Sequence, residues 1–281
     1  MSKIALNDGV ALITGAASGI GKETALALAE AGVRAIALAD INEQGALEAA
    51  QESRRYAKHA SYRSLAIKVD IVDEESVQTI VDTTFREFGR IDFSVNSAGM
   101  GNISGAITPN LAVDVFNKTV ETNIKGTMLC VRAVAKVMAD QGPLSYTSRH
   151  GTRSLGRGSI INVGSVNSHV AAPGMLSYTT SKHALIGITK SAAIDTLKSH
   201  IRVNAVCPSW VDTPMNHASL QRVPQLAQII KAVSPLQQVA TTDEVADYIV
   251  FLCSPSASYI NGTSLVIDAG ATLTAHVSRV T

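Results

Sequence analysis

A phenol and an ammonium four residues apart are the first groups in this sequence equipped for chemistry. In Tyr178-Thr179-Thr180-Ser181-Lys182 the two side chains share a face if the segment is helical. A cation beside a phenol favours phenolate, lowering a pKa that starts near ~10. That suits proton transfer to or from an alcohol or ketone oxygen at neutral pH. Ser165 stands thirteen residues before Tyr178, at the end of an apolar run, with a hydroxyl able to bond the same oxygen. Each group also has an ordinary reading, as a turn or cap serine and a half-buried packing tyrosine. The Tyr-x-x-x-Lys spacing arises by chance roughly 0.2 times in such a chain, so it carries little alone.

A second group has a different chemistry. Thr14-Gly15-Ala16-Ala17-Ser18-Gly19-Ile20-Gly21 closes one apolar run and opens a helical pattern. Glycines there let the backbone turn sharply and approach a pyrophosphate, while a helix N-terminus offers free N–H groups and partial positive charge. Gly15, Ser18, Gly19 and Ile20 are the candidate contacts. A tight turn without a ligand is the alternative, and the position between strand and helix favours nucleotide binding. Asp40 ends the next apolar run, 19 residues after Gly21. A carboxylate there accepts both hydroxyls of an adenosine ribose and repels a 2′-phosphate. No Arg or Lys stands in the turn before Gly19. Both features predict NAD in preference to NADP.

These groups need a frame. Short apolar runs at 10–14 and 35–39, and near 65–69, 91–95, 159–163, 201–206 and 264–267, alternate with helical patterns. The helical patterns fall at 19–31, 43–58, 74–88, 111–139, 177–198 and 242–253. Apolar runs without in/out alternation, separated by helices, imply parallel strands covered on both faces. The expected fold is α/β: a doubly wound, seven-stranded, mostly parallel sheet with helices on both faces, as one domain over 1–281. Two stretches break the rhythm. Residues 141–158 carry Gly, Pro and Ser with Arg149, His150, Arg153 and Arg157, and predict a loop insertion. A solvated loop is preferred there to a nucleic-acid patch, because only Tyr146 accompanies the charge. Residues 210–235 predict a lid over the substrate.

Composition narrows the function classes. Hydrophobic residues make up 46% and charged residues 17%, with a net charge of +1. That leaves no field for nucleic acid or an anionic membrane. No apolar run approaches the ~20 residues of a membrane span, and the first residues lack a leader's apolar core. Cys130, Cys207 and Cys253 give neither a disulfide framework nor a zinc pattern, and no histidine pair has metal spacing. The expectation is a soluble, cytoplasmic protein with no catalytic metal, in which Cys207 is a small buried hydrophobe.

Taken in order, these residues resemble the short-chain dehydrogenase/reductase family in its compact, single-domain, Rossmann-like form, from about Asp8 to Gly270. The family's glycine motif matches Thr14, Gly15, Gly19 and Gly21, its acidic NAD selector Asp40, and its adenine-contacting aspartate Asp70. Its Asn-Asn-Ala-Gly signature matches Asn96-Ser97-Ala98-Gly99, its helix asparagine Asn123, and its catalytic Ser, Tyr and Lys match Ser165, Tyr178 and Lys182. Its late Pro-Gly segment matches Pro208 to Thr213. The resemblance implies that Tyr178 exchanges the alcohol proton and Ser165 polarises the carbonyl. Lys182 holds the nicotinamide ribose and depresses the Tyr178 pKa, and Asn123 fixes a water in a proton relay. It further implies cofactor contacts from Asn96, Ala98, Val211 and Thr213. Ser97 in place of an asparagine that braces the central strands, and Ser209 in place of a glycine, depart from the pattern beside the cofactor.

The resemblance implies an NAD-dependent oxidoreductase acting on a small-molecule alcohol or ketone, assembled as a homotetramer or dimer through helices 111–139 and 177–198. No nucleic-acid or membrane partner is expected. Met100, His169, Met175, Trp210 and Met215 are the expected pocket residues. Two alternatives stay open: a non-redox isomerase or cyclase using the same acid/base, and an NAD-binding regulatory protein.

Overall fold

The computed structural model describes Leu6 and residues 8–273. Nine strands form within them: β1 (Val10–Thr14), β2 (Ala35–Asp40), β3 (Arg63–Lys68), β4 (Phe93–Asn96), β5 (Leu144–Ser148), β6 (Gly151–Gly156), β7 (Gly158–Val163), β8 (Ile201–Pro208) and β9 (Ser264–Ile267). Seven make one sheet in the order β3-β2-β1-β4-β7-β8-β9, with every pairing parallel. The expected doubly wound, seven-stranded sheet is the observed one.

The strands read as unbroken apolar runs because both faces are buried. In β1, Ala11 and Ile13 join a core with Leu28 of α1 (Gly19–Glu30) and Ile249 of α9 (Thr242–Cys253). Val10 and Leu12 face the other way, into a core with Ile80 of α3 (Glu74–Phe88) and Val134 of α5 (Thr127–Asp140). α2 (Glu43–Tyr56), α4 (Val113–Val120), α6 (Leu176–Asp195), α7 (Pro214–Arg222) and α8 (Leu226–Val233) complete the helices of the described residues. Strand order reverses between β2 and β4 on either side of β1, so a crevice opens at the carboxyl ends there.

The structure departs from the sequence reading in three places. Residues 141–158 hold a β-hairpin, β5 paired antiparallel with β6, in place of a loop. The reason is cross-strand pairing: Thr147 and Thr152 hydroxyls lie 2.9 Å apart, and the Arg153 guanidinium sits 5.3 Å from the centroid of the Tyr146 ring. Both strands are largely exposed and polar, so no apolar alternation marks them in the sequence. Second, the expected helix 111–139 is divided: α4 and α5 flank a π-helical turn at Glu121–Gly126. At its end Gly126 meets the loop after β3 so closely that a Cβ would lie 2.7 Å from Ile71 Cδ1. Third, the expected lid stretch 210–235, outside the expected helices, carries α7 and α8. Residues 274–281, beyond the stretch of family resemblance that runs to about Gly270, lie outside the described residues.

Candidate active site

The glycine turn is shaped by close approach. Gly15 has φ +71°, and a Cβ on it would lie 2.5 Å from the Ala98 amide nitrogen, so the turn after β1 packs on the backbone after β4. Any side chain at Gly21 would strike the Gly15 carbonyl, 2.1 Å from the ideal Cβ position. Ser18 occupies the N-cap of α1 without a side-chain cap bond, and no acidic residue stands in the first turn. The leading amides therefore lack a protein side-chain acceptor, which is the electrostatic setting that receives an anion. At Gly19 a Cβ would meet Thr213 Cγ2 at 3.2 Å, so the segment after β8 closes the turn from above. Ile20 packs partly buried against the core beneath.

Asp40 is drawn to the same place. Its Oδ2 accepts from the Ala17 N–H at 3.0 Å, and its Oδ1 accepts from the Asn42 N–H at 2.9 Å. A carboxylate has about four lone-pair sites, so two backbone bonds leave capacity for hydroxyls. Asp70 is exposed and bonded locally, accepting from the Val72 N–H at 3.1 Å. Asn96 is different in kind. It is buried, and its Nδ2 donates 2.8 Å to Asn162 Oδ1, whose own Nδ2 donates 2.9 Å to the Thr189 hydroxyl of α6. Asn96 thus braces β4, β7 and α6, while Ser97 makes its backbone bond to the Thr14 carbonyl at 3.1 Å. Asn162 and Thr189 were not singled out in the sequence; a polar residue inside the apolar run Ile160-Ile161-Asn162-Val163 was the available signal.

Ser165, Tyr178 and Lys182 meet at the carboxyl end of β7. Ser165 caps a short helical turn, and its Oγ accepts from the Asn167 N–H at 3.2 Å. Its hydroxyl hydrogen-bonds the Tyr178 phenol. Lys182 lies one turn along α6, buried, with its Nζ 5.6 Å from the centroid of the Tyr178 ring. That ammonium donates 2.8 Å to the Val163 carbonyl. The resulting electrostatics run opposite to the sequence expectation. Burial pushes the Tyr178 phenol above its ordinary value, opposed by the Ser165 hydrogen bond. Burial also pulls the Lys182 ammonium down to about 8. Desolvation penalises both charged forms, and it is the largest cause of each shift.

Asn123 sits in the π turn with its side-chain amide committed. Its Oδ1 accepts from the Met100 N–H at 2.7 Å, and its Nδ2 donates to the Met100 carbonyl at 2.9 Å and to the Ser181 hydroxyl at 3.0 Å. The side chain ties the β4–α4 loop to α6 next to Lys182. Segments expected to line the pocket also touch one another. Asn102 Nδ2 donates 2.9 Å to the Gly174 carbonyl, and a Cβ on Gly101 would lie 3.0 Å from Met215 Cγ of α7. Val211 is buried and Thr213 caps α7, accepting from the Asn216 N–H at 3.2 Å. His169 is exposed. Among the described residues no cluster of three His, Cys, Asp or Glu could hold a metal ion, and no helix is long and apolar enough to cross a membrane.

Comparison with known proteins agrees with this fold. A family model described as enoyl-(acyl carrier protein) reductase matches residues 15–272. The chain is 43% identical over 266 residues to short-chain dehydrogenase anuF of Penicillium roqueforti, covering 95% of this chain and 96% of that protein. It is 37% identical to 2-(R)-hydroxypropyl-CoM dehydrogenase of Xanthobacter autotrophicus, covering 94% and 98%. The crystal structure of levodione reductase superposes with a TM-score of 0.85 at 30% identity, covering 96% of this chain and 99% of that one.

Proposed function

This chain belongs to the short-chain dehydrogenase/reductase family, and on that premise we propose that it interconverts a secondary alcohol and a ketone by hydride transfer with NAD(H). One observation carries the reading: the Ser165 hydroxyl, Tyr178 phenol and Lys182 ammonium converge at the carboxyl end of β7, on the same sheet edge as an uncapped glycine turn. A bound nicotinamide supplies the hydride for reduction or takes it in oxidation. Everything else is work for this chain's own groups. The α1 amides and Gly15 hold the pyrophosphate, Asp40 the adenosine ribose, and Asp70 the adenine side. Val211 and Thr213 take the nicotinamide end, with Ala98 beneath it and Lys182 on its ribose.

Ser165 orients the ketone oxygen, and Tyr178 gives that oxygen its proton. A phenol raised by burial is protonated at neutral pH, so it stands ready as the acid. In the oxidative direction Tyr178 must first become phenolate, and alcohol oxidation is expected to accelerate toward alkaline pH. Asp40 supports NAD over NADP, since a second anion beside its carboxylate is repelled. Homo-oligomerisation is supported by apolar groups left exposed on the helices expected at the interface, Val113 and Met128 before the hairpin and Ile194 after it. A light-scattering mass equal to one chain would refute that part.

The experiment for the activity is NADH and NADPH consumption with a panel of cyclic and acyclic ketones, beside Tyr178→Phe. Turnover with NADH at least tenfold above NADPH is expected, with a loss of about 10²–10⁴-fold in Tyr178→Phe. A parent chain that binds NADH but turns over nothing would sink the reading. An isomerase or regulatory protein on the same fold would then take its place.

A further inference from the structure

Cys207 is the penultimate residue of β8 and is fully buried, yet its surroundings are not those of a simple core residue. The Ser168 side chain and the Ser165 backbone amide both act on its thiol, each opposing the effect of burial. The Ser165 N–H also points at Ser168 Oγ, 3.3 Å away. Gly164 separates the two strands' ends at this spot: a Cβ there would lie 2.9 Å from Cys207 Sγ and 3.0 Å from Ser168 Oγ. Sulfur and hydroxyl therefore press on the same piece of backbone, directly before Ser165.

The geometry points to Cys207 as a positioning residue for Ser165, acting through Ser168 on the alcohol–ketone chemistry proposed above, on which this inference rests. The Ser165 Oγ already accepts from the Asn167 N–H, so its remaining proton is directed by how the residue's backbone is held. That backbone is held from below by the Ser168 hydroxyl and the Cys207 sulfur. The Ser168 hydroxyl is buried and needs an acceptor for its own proton; the thiol is that acceptor. Lys182 lies close enough that its charge and the thiol influence each other. A large, weakly polar sulfur satisfies Ser168 without competing for the ammonium, which stays on the Val163 carbonyl.

The test uses the full chain in NADH-dependent ketone reduction. Cys207→Ala is expected to lower kcat about tenfold while the KM values for ketone and NADH stay within about twofold. Cys207→Ser keeps an acceptor at the same spot and recovers to within about threefold of the parent. Ser168→Ala loses a similar factor, and the Cys207→Ala/Ser168→Ala double variant loses no more than either alone, because both cut one chain of bonds. Amide exchange at Ser165 rises about tenfold or more in Cys207→Ala, a readout that requires no turnover. Parent-like kcat and Ser165 exchange in Cys207→Ala, or multiplicative losses in the double variant, would overturn the proposal. If Cys207→Ala does not fold, Ser168→Ala must still show the kcat loss and the faster Ser165 exchange, or the inference fails. A parent without any ketone turnover refutes the oxidoreductase reading instead, and Ser165 exchange then decides the positioning claim by itself.

Discussion

The two edges of the sheet are built on opposite plans. At the carboxyl edge, functional side chains are held by segments far away in sequence: Asp40 by Ala17, Asn123 by Met100 and Ser181, Lys182 by Val163. At the amino edge the β5–β6 hairpin holds itself. Its Thr147–Thr152 and Tyr146–Arg153 pairs join near neighbours, and one long-range bond, Arg153 to the Pro255 carbonyl at 2.8 Å, ties it down. The difference teaches where damage travels. A change at the carboxyl edge disturbs several elements at once, whereas the hairpin is insulated from the chemistry.

The sharpest way to break this contrast is Gly15→Ala. The new methyl meets backbone at 2.5 Å and must adopt φ +71°, so a loss of about 1–3 kcal/mol in stability is expected. Dinucleotide affinity should fall at least about tenfold, since the turn and the Ala98 backbone separate. Calorimetric titration with NADH checks it; unchanged affinity would mean that the turn is not the cradle.

Lys182→Met separates stability from activity. The parent's Lys182 ammonium is held down to about 8 when folded, against 10.5 as its ordinary value. The unfolded chain therefore binds the extra proton more readily between those values, and stability rises with pH across that window. Below pH 8 the buried charge costs the fold its full penalty. Replacing it with Met is expected to raise stability by about 1–3 kcal/mol at pH 7, after allowing for the lost Val163 bond. The gain shrinks toward zero as pH approaches 10.5, while turnover is lost throughout. Denaturant melts at three pH values decide it, and a pH-independent difference contradicts the assignment.

The smallest effect belongs to the hairpin. Arg153→Ala removes an exposed cation–π contact worth about 0.5–1 kcal/mol and the hydrogen bond to the Pro255 carbonyl, worth about 0.5–1.5 kcal/mol, and kcat should stay within about twofold. Replacing 145–154 by a short polar turn should likewise leave turnover intact. A tenfold fall in kcat would show that the amino edge is coupled to the site after all.

Much of the fold and the site was legible in the sequence for a physical reason. Both-face burial writes strands as unbroken apolar runs, and the glycines at 15 and 21 are required by backbone contacts that no side chain survives, while Gly19 takes φ +53°. The hairpin was missed because its strands are exposed and polar, so no apolar pattern marks them. The π turn was hidden because its cause is tertiary: Asn123 reaches across to Met100 and Ser181. Most instructive is the Tyr178–Lys182 pair. Spacing alone predicts mutual attraction, but the direction of each shift depends on how much water remains, which only packing determines.

Asn96 and Asn162 stand directly opposite each other in the β4–β7 register. In a sheet of near-identical aliphatic rungs, slippage by one residue would leave hydrophobic packing almost as good. It would not leave these amides paired. Asn96 would face Ile161 or Val163 and Asn162 would face Val95 or Ser97, at a penalty of about 1–3 kcal/mol per stranded group. The pair therefore acts as a proofreading mark during folding, rejecting an alignment that would carry Ser165 and the glycine turn past each other.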